Sequence, residues 1–207
     1  MKSRWIVGGG RYLDLAVQAW KQARPDECIE RIEVPQTADY QFDLGVLAAL
    51  SPAEGAMFVA FDERFGNFKR MELMQAAMER GFKLEAFVSP GAMVAPDAVI
   101  GPNAFIGAGV CVGAGTRIDY NSVINAGARL GSGVHLRASC WLDMGVVVGD
   151  EAEVGAHSIL RMGTLVAPGI KVGRNCELGV PRLYDRDIPS RTTFDARYDE
   201  PIVVYGT

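Results

Sequence analysis

From Val88 to Leu178 every sixth residue is a branched aliphatic: Val88, Val94, Ile100, Ile106, Val112, Ile118, Ile124, Leu130, Leu136, Leu142, Val148, Val154, Leu160, Val166, Val172 and Leu178. Only 25 of the 91 residues in that stretch are Ile, Leu or Val, so an unbroken run of 16 in-frame positions is not an accident of composition. An α-helix repeats every 3.6 residues and a strand every two. A fixed period of six, with no insertion, calls for a solenoid of short strands and corners whose core is buried only by stacking coil on coil. A second column, four residues after each aliphatic, is mostly small or β-branched: Ala92, Ala98, Ala104, Val110, Thr116, Ser122, Ala128, Val134, Cys140, Val146, Ala152, Ser158, Thr164, Ile170 and Cys176. Large aliphatics fill the interior and the second column fits where the chain bends. Three hexads to a turn make each coil about 18 residues, with coils stacked at about 4.8 Å.

Glycine follows the aliphatic in Ile106-Gly107, Val112-Gly113, Val148-Gly149 and Val154-Gly155, where the expectation is an unusual corner backbone. Pro90, Pro96, Pro102 and Pro168 share one phase, two after the aliphatic. At that phase no ladder N–H should be needed.

The part before the repeat reads differently. Arg4–Val7 is a strand entering Gly8-Gly9-Gly10, and Arg11 to Ala23 a helix with Leu13, Ala16, Val17 and Trp20 on its apolar stripe, stopped by Pro25. Cys28–Val34 and Ala56–Phe61 read as further strands, and Asn67–Arg80 as a helix closing at Gly81. This order implies a small, Rossmann-like parallel sheet. The expected organisation is an α/β domain over 1–86, a parallel β-helix over 87–180, and a tail or cap over 181–207 with a last strand near Pro201–Tyr205.

A net charge of −4 and a pI near 5.3, with basic residues scattered, leave no footprint for a nucleic acid. No stretch is long and apolar enough for a spanning helix, and the amino-terminal apolar run is too short for a signal-peptide core. Cys28, Cys111, Cys140 and Cys176 form no C-x-x-C pair, and Cys140 and Cys176 fall in the smaller inward column, so a cytoplasmic protein is expected. Two histidines cannot supply a three-histidine zinc site, and no metal is expected.

A strand–glycine-turn–helix domain leading through Gly81-Phe82-Lys83 and Phe87-Val88-Ser89-Pro90-Gly91-Ala92 into an uninterrupted hexapeptide solenoid resembles one group of bacterial sugar acetyltransferases. That group comprises the sialic-acid O-acetyltransferases and bacillosamine N-acetyltransferases. The resemblance implies a left-handed β-helix, a homotrimer with active sites between subunits, and a nucleotide-sugar held by the small domain. Acetyl-CoA is the implied co-substrate, and a histidine the implied base that deprotonates the acceptor amine or hydroxyl. The family's apolar–acidic–His–acidic–Cys run corresponds to Leu142-Asp143-Met144-Gly145-Val146, so Met144 stands at the histidine's place. A thioether is no general base. The acidic pair that follows the family's second strand is also missing, since the chain reads Arg31-Ile32-Glu33-Val34-Pro35.

Three readings follow: an acetyl-CoA-dependent acetyltransferase acting on an amino or hydroxyl group of a nucleotide-linked sugar, a non-catalytic trimeric relative that has lost the base, or a transferase of a different acyl group. For the first, the candidate catalytic residues are His157, as a base supplied in trans at a corner, and Asp143. Gly8, Gly9 and Gly10 are candidates to cradle a phosphate beside a helix N-terminus. Asn125, Met144 and Arg161 are candidate substrate contacts, and Met162 and Gly163 candidate contacts to acetyl-CoA. A step of 18 stacks Asn125, Asp143 and Arg161 in one column, with an expected Asp143–Arg161 ion pair, and puts Asp119 under Arg137. His135 reads as a solvated outward side chain.

Overall fold

A computed structural model describes residues 3–204. The chain divides at Phe87/Val88 into two compact units.

In the first unit β1 (Ser3–Gly8) leads to α1 (Gly10–Ala23), β2 (Ile29–Glu33), a 3-10 turn (Leu44–Ala49), β3 (Gly55–Ala60) and α2 (Phe68–Glu79). The sheet is parallel in the order β2-β1-β3, which places β1 in the middle. The stripe expected on the first helix is its packed face: Leu13, Ala16, Val17 and Trp20 are all buried. Trp5 meets Phe82 edge-on at 5.8 Å, in a core with Val7, Met57, Val59 and Leu73. Asn67 is not in α2 but caps it, in the left-handed region (φ 67°), and Gly81 ends the turn after it.

The second unit is the parallel β-helix that the repeat demands. Two-residue strands such as Phe105–Ile106, Cys111–Val112 and Arg117–Ile118 fall successively on three walls, and each pairs in parallel with the strand 18 residues on. The first wall runs through Val123–Ile124, Trp141–Leu142, Ile159–Leu160 and Glu177–Leu178. The second runs through Arg129–Leu130, Val147–Val148 and Leu165–Val166. The third runs through His135–Leu136, Glu153–Val154 and Lys171–Val172. Ile106, Ile124, Leu136, Leu142, Val154, Leu160 and Leu178 are wholly buried, as is most of the smaller column. The first coil has no coil beneath it, and there Val88 remains 40% exposed. Polar members of the small column spend their hydroxyls on backbone carbonyls, as Thr116 does on Gly131 at 2.7 Å and Ser158 on Gly173 at 2.9 Å.

The corners correct one expectation. The glycines just after the aliphatic are not the ones with unusual angles. Left-handed backbone falls two residues later, at Gly109, Gly127, Gly145 and Gly163 in the first corner and at Asn103, Asn121, Ser139, His157 and Asn175 in the third. Gly107, Gly113 and Gly155 are needed for close approach instead: a Cβ on Gly155 would stand 2.5 Å from the carbonyl carbon of Gly173 in the next coil. The proline phase behaves as expected. Pro102 serves the ladder through its carbonyl, which accepts from Asn121 N–H at 2.9 Å.

After Leu178 the chain lies over the end of the solenoid. Leu183–Tyr184 continues the second wall, Thr192–Phe194 the first, and Ile188 bridges to Val172 on the third. Ile202–Val203 then pairs antiparallel with Thr192–Thr193. Tyr205, the far end of the strand expected there, lies outside the described residues.

Candidate active site

On every wall the residues immediately before and after the inward aliphatic point outward. Their side chains meet along a diagonal, from the residue after one aliphatic to the residue before the next coil's aliphatic, a step of 16. Three contacts follow it: Asp119 Oδ2 with His135 Nε2 at 3.2 Å, Arg137 Nε donating to Glu153 Oε1 at 2.6 Å, and Arg161 Nε donating to Glu177 Oε1 at 2.8 Å.

The expected first-corner column is therefore present but differently wired. Arg161 stands 3.9 Å from Asp143 Oδ2, a looser contact than its bond to Glu177. Asp143 accepts instead from the Trp141 indole N–H at 2.8 Å, and Asn125 donates to the Leu142 carbonyl at 2.9 Å. Asp119 is shared by Arg117 at 3.3 Å and His135, while Arg137 takes Glu153. A cleft of about 370 Å³ opens beside Arg161 and Glu177, lined also by Gly179, Phe194, Asp195 and Arg197. Met144 and Met162 occupy equivalent places on successive coils and are 58% and 63% exposed, so they form an apolar edge facing outward. Gly163 (φ 82°) sits so near Pro181 that an added Cβ would come within 2.8 Å of the proline Cβ.

His157 lies in the third corner, on a different edge from Asp143, Met144 and Arg161. Its backbone is left-handed there, in column with a buried polar ladder. Asn103 donates to Asn121 at 2.8 Å, and Asn121 to Ser139 at 2.9 Å; His157 and Asn175 follow at the same 18-residue step. Its Nδ1 is shut off from solvent.

In the first unit the glycine turn lies at the carboxyl end of the central strand. Gly8 must be glycine, because a Cβ would fall 1.7 Å from the Ala60 carbonyl oxygen. Gly9 caps α1 with extended backbone and no side-chain bond, and Gly10 adopts φ 64°. The helix N–H groups are thus open to an anion. The Arg64 guanidinium comes within 3.8 Å of where a Gly10 Cβ would be, while itself bound to Asp62 at 2.7 Å. Sequence reasoning missed Arg64, because nothing in its spacing ties it to Gly10. It also missed Asp119 as the partner of His135 and Glu177 as the second partner of Arg161, for which a step of 16 beside that of 18 was the available signal.

Residues 98–132 match a family model described as the hexapeptide repeat of succinyl-transferase. With the three-walled coil this defines a hexapeptide-repeat β-helix protein carrying an amino-terminal α/β unit. Among solved structures the chain is similar to PerB of Caulobacter crescentus, determined in complex with CoA and GDP-perosamine, at 26% identity over 93% of each chain with a TM-score of 0.81. A histidine-to-asparagine mutant of perosamine N-acetyltransferase from that organism, with the same ligands, matches at 25% identity over 93% of each chain and TM-score 0.80. The acetyltransferase domain of PglB from Neisseria gonorrhoeae, in complex with acetyl coenzyme A, shares the fold at 22% identity, over 98% of this chain and 100% of that one, with TM-score 0.55. No curated protein matches the sequence.

Proposed function

We propose that this protein is an acetyl-CoA-dependent acetyltransferase that modifies an amino or hydroxyl group of a nucleotide-linked sugar. The observation that carries this reading is the likeness to PerB across 93% of both chains, which takes in the α/β unit as well as the solenoid. A shared repeat alone would support only a shared scaffold.

The residues fit the two substrates. The open N-terminus of α1 beyond Gly8, Gly9 and Gly10, with Arg64 close by, suits the phosphates of a nucleotide-sugar. On the solenoid, Met144, Met162 and Gly163 give an apolar, narrow edge for the pantetheine arm, while Asn125, Asp143 and Arg161 offer polar contacts beside it. Holding acceptor and thioester in contact is then one part of catalysis. We assign a homotrimer, in which the exposed methionine edge of one copy meets a neighbour. A cytoplasmic setting accords with an acetyl-CoA donor and with four cysteines that are all unbridged.

The test is an assay of the purified protein with acetyl-CoA and GDP-perosamine, read by mass spectrometry for the acetylated sugar and free CoA. Acetylated product supports the reading. If calorimetry shows no acetyl-CoA binding at millimolar donor and no product forms, the non-catalytic alternative takes its place.

A further inference from the structure

We propose that His135, held by Asp119, is the general base of the acetyl transfer, in place of the corner histidine His157. The proposal rests on the acetyltransferase and homotrimer readings above, with the His135 wall of one copy facing the methionine edge of a neighbour, and adds to them the reacting side chain.

The chain has two histidines. His157 lies in the third corner with its Nδ1 buried. His135 stands on the outer face of the third wall with its side chain 25% exposed, so a ligand can reach it. Its Nε2 lies 3.2 Å from Asp119 Oδ2. An ionised carboxylate only accepts hydrogen bonds, so that contact keeps the ring proton on Nε2 and leaves the lone pair on Nδ1. This is the tautomer a base requires, and the same carboxylate stabilises the imidazolium formed when Nδ1 takes a proton.

The surroundings fix the pair. From the strand below, Arg117 holds Asp119 at 3.3 Å; from the strand above, Glu153 is occupied by Arg137 of the histidine's own strand at 2.6 Å. His135 is thus left as Asp119's partner across the coil, while Glu153 is satisfied elsewhere. Glu153, the register partner of His135 in the next coil, also borders a shallow cleft of about 510 Å³ whose walls carry Lys171 and Arg174.

In the step itself Nδ1 removes the proton from the acceptor amine or hydroxyl as its nitrogen or oxygen attacks the thioester carbonyl carbon. The new C–N or C–O bond forms, and the C–S bond breaks as the tetrahedral adduct collapses. The proton on Nδ1 passes to the departing thiolate, giving free CoA and a neutral imidazole. Asp119 touches neither substrate and is a positioning residue.

The experiment measures acetyl transfer from acetyl-CoA to GDP-perosamine by the wild type and by His135→Asn, His135→Gln, Asp119→Asn and His157→Asn, over roughly pH 6 to 9. Far-UV spectra check that each variant is folded. Loss of kcat by about 100-fold or more in both His135 variants, at unchanged KM for acetyl-CoA and with the acidic limb of the kcat–pH profile abolished, is expected of a missing base. Asp119→Asn should lower kcat by a smaller factor, about tenfold, and keep the limb, whereas His157→Asn should keep both. His135 variants within threefold of wild type, or with the limb intact, overturn the proposal while the transferase reading stands. A wild type that neither binds acetyl-CoA nor forms product overturns both. Long-range proton–nitrogen NMR of the His157→Asn protein adds an activity-independent arm: an Nε2–H tautomer of His135 is expected, and an Nδ1–H tautomer refutes the assignment.

Discussion

Single residues here carry two separate backbone duties that a six-residue period superimposes. Gly127 lies at φ 71° with open space around it, whereas Gly155 has no room for a Cβ against Gly173. Gly127→Asn should therefore be nearly neutral and Gly127→Ala cost about 1 kcal/mol, while Gly155→Ala costs more because coil must part from coil; chemical denaturation of the three variants checks the order. His157→Asn should preserve stability, since Asn103, Asn121 and Asn175 already fill that corner at the same left-handed angle. The thiols should divide by burial. Cys28 is exposed, Cys140 and Cys176 are buried, and burial pushes the Cys176 thiol above its ordinary value. Alkylation followed by peptide mass mapping should mark Cys28 in the native protein, and Cys140 and Cys176 only after unfolding. On the tail, the Arg197 side chain bonded to Asp195 lowers that carboxyl from 3.8 to about 2. The folded value is the depressed one, so any stability this pair adds is complete above the ordinary carboxylate range and is lost as pH falls toward about 2. An NMR titration of Asp195 should show the low midpoint, and Arg197→Ala should raise it.

At the scale of elements, a two-residue strand has almost no stability of its own. Each holds only because parallel neighbours lie on either side and an aliphatic is sealed between coils. Leu136 is wholly buried in mid-stack, and Leu136→Ala should cost about 2–5 kcal/mol, read as a shift in the denaturation midpoint. The end of the stack has the converse problem, an open row of strand edges. Leu183–Tyr184 and Thr192–Phe194 pair onto those edges, and Arg182 lies 4.8 Å over the rings of both Tyr184 and Phe194. Chain truncated after Gly179 should lose the cap, melt lower and aggregate, with light scattering during the melt as the readout.

For the whole molecule, the decisive property is differential affinity for acetyl-CoA. A ligand that binds only the folded state stabilises it by about 2.7 kcal/mol at a hundredfold excess over Kd, so a thermal shift rising with donor concentration is expected. A cyclic assembly sets two different surfaces of each copy against one another. The methionine edge belongs to one corner and the His135 wall lies across the triangular section from it, an arrangement in which a centre shared between copies uses both. Sedimentation should give a trimer, and Met144→Asp with Met162→Asp should weaken it and reduce transfer together.

The sequence alone determined the solenoid, because its inward residues repeat in register: each aliphatic meets the same phase of the next coil, 18 residues on, and packing a closed interior tolerates no other arrangement. It also marked a glycine turn after the first strand, whereas the central place of that strand and the lack of room for a Cβ on Gly8 against Ala60 came from the fold. What tertiary structure decided is the outer surface. Long outward side chains can reach diagonally, so Asp119 found His135, and Arg161 found Glu177 in addition to the looser Asp143 that an 18-residue step assigns. The period likewise places His157 at a corner but does not say whether a corner side chain turns into the ladder or out to a ligand. Tertiary structure adds that its backbone there is left-handed, in one column with Asn103, Asn121, Ser139 and Asn175, and that its Nδ1 is buried.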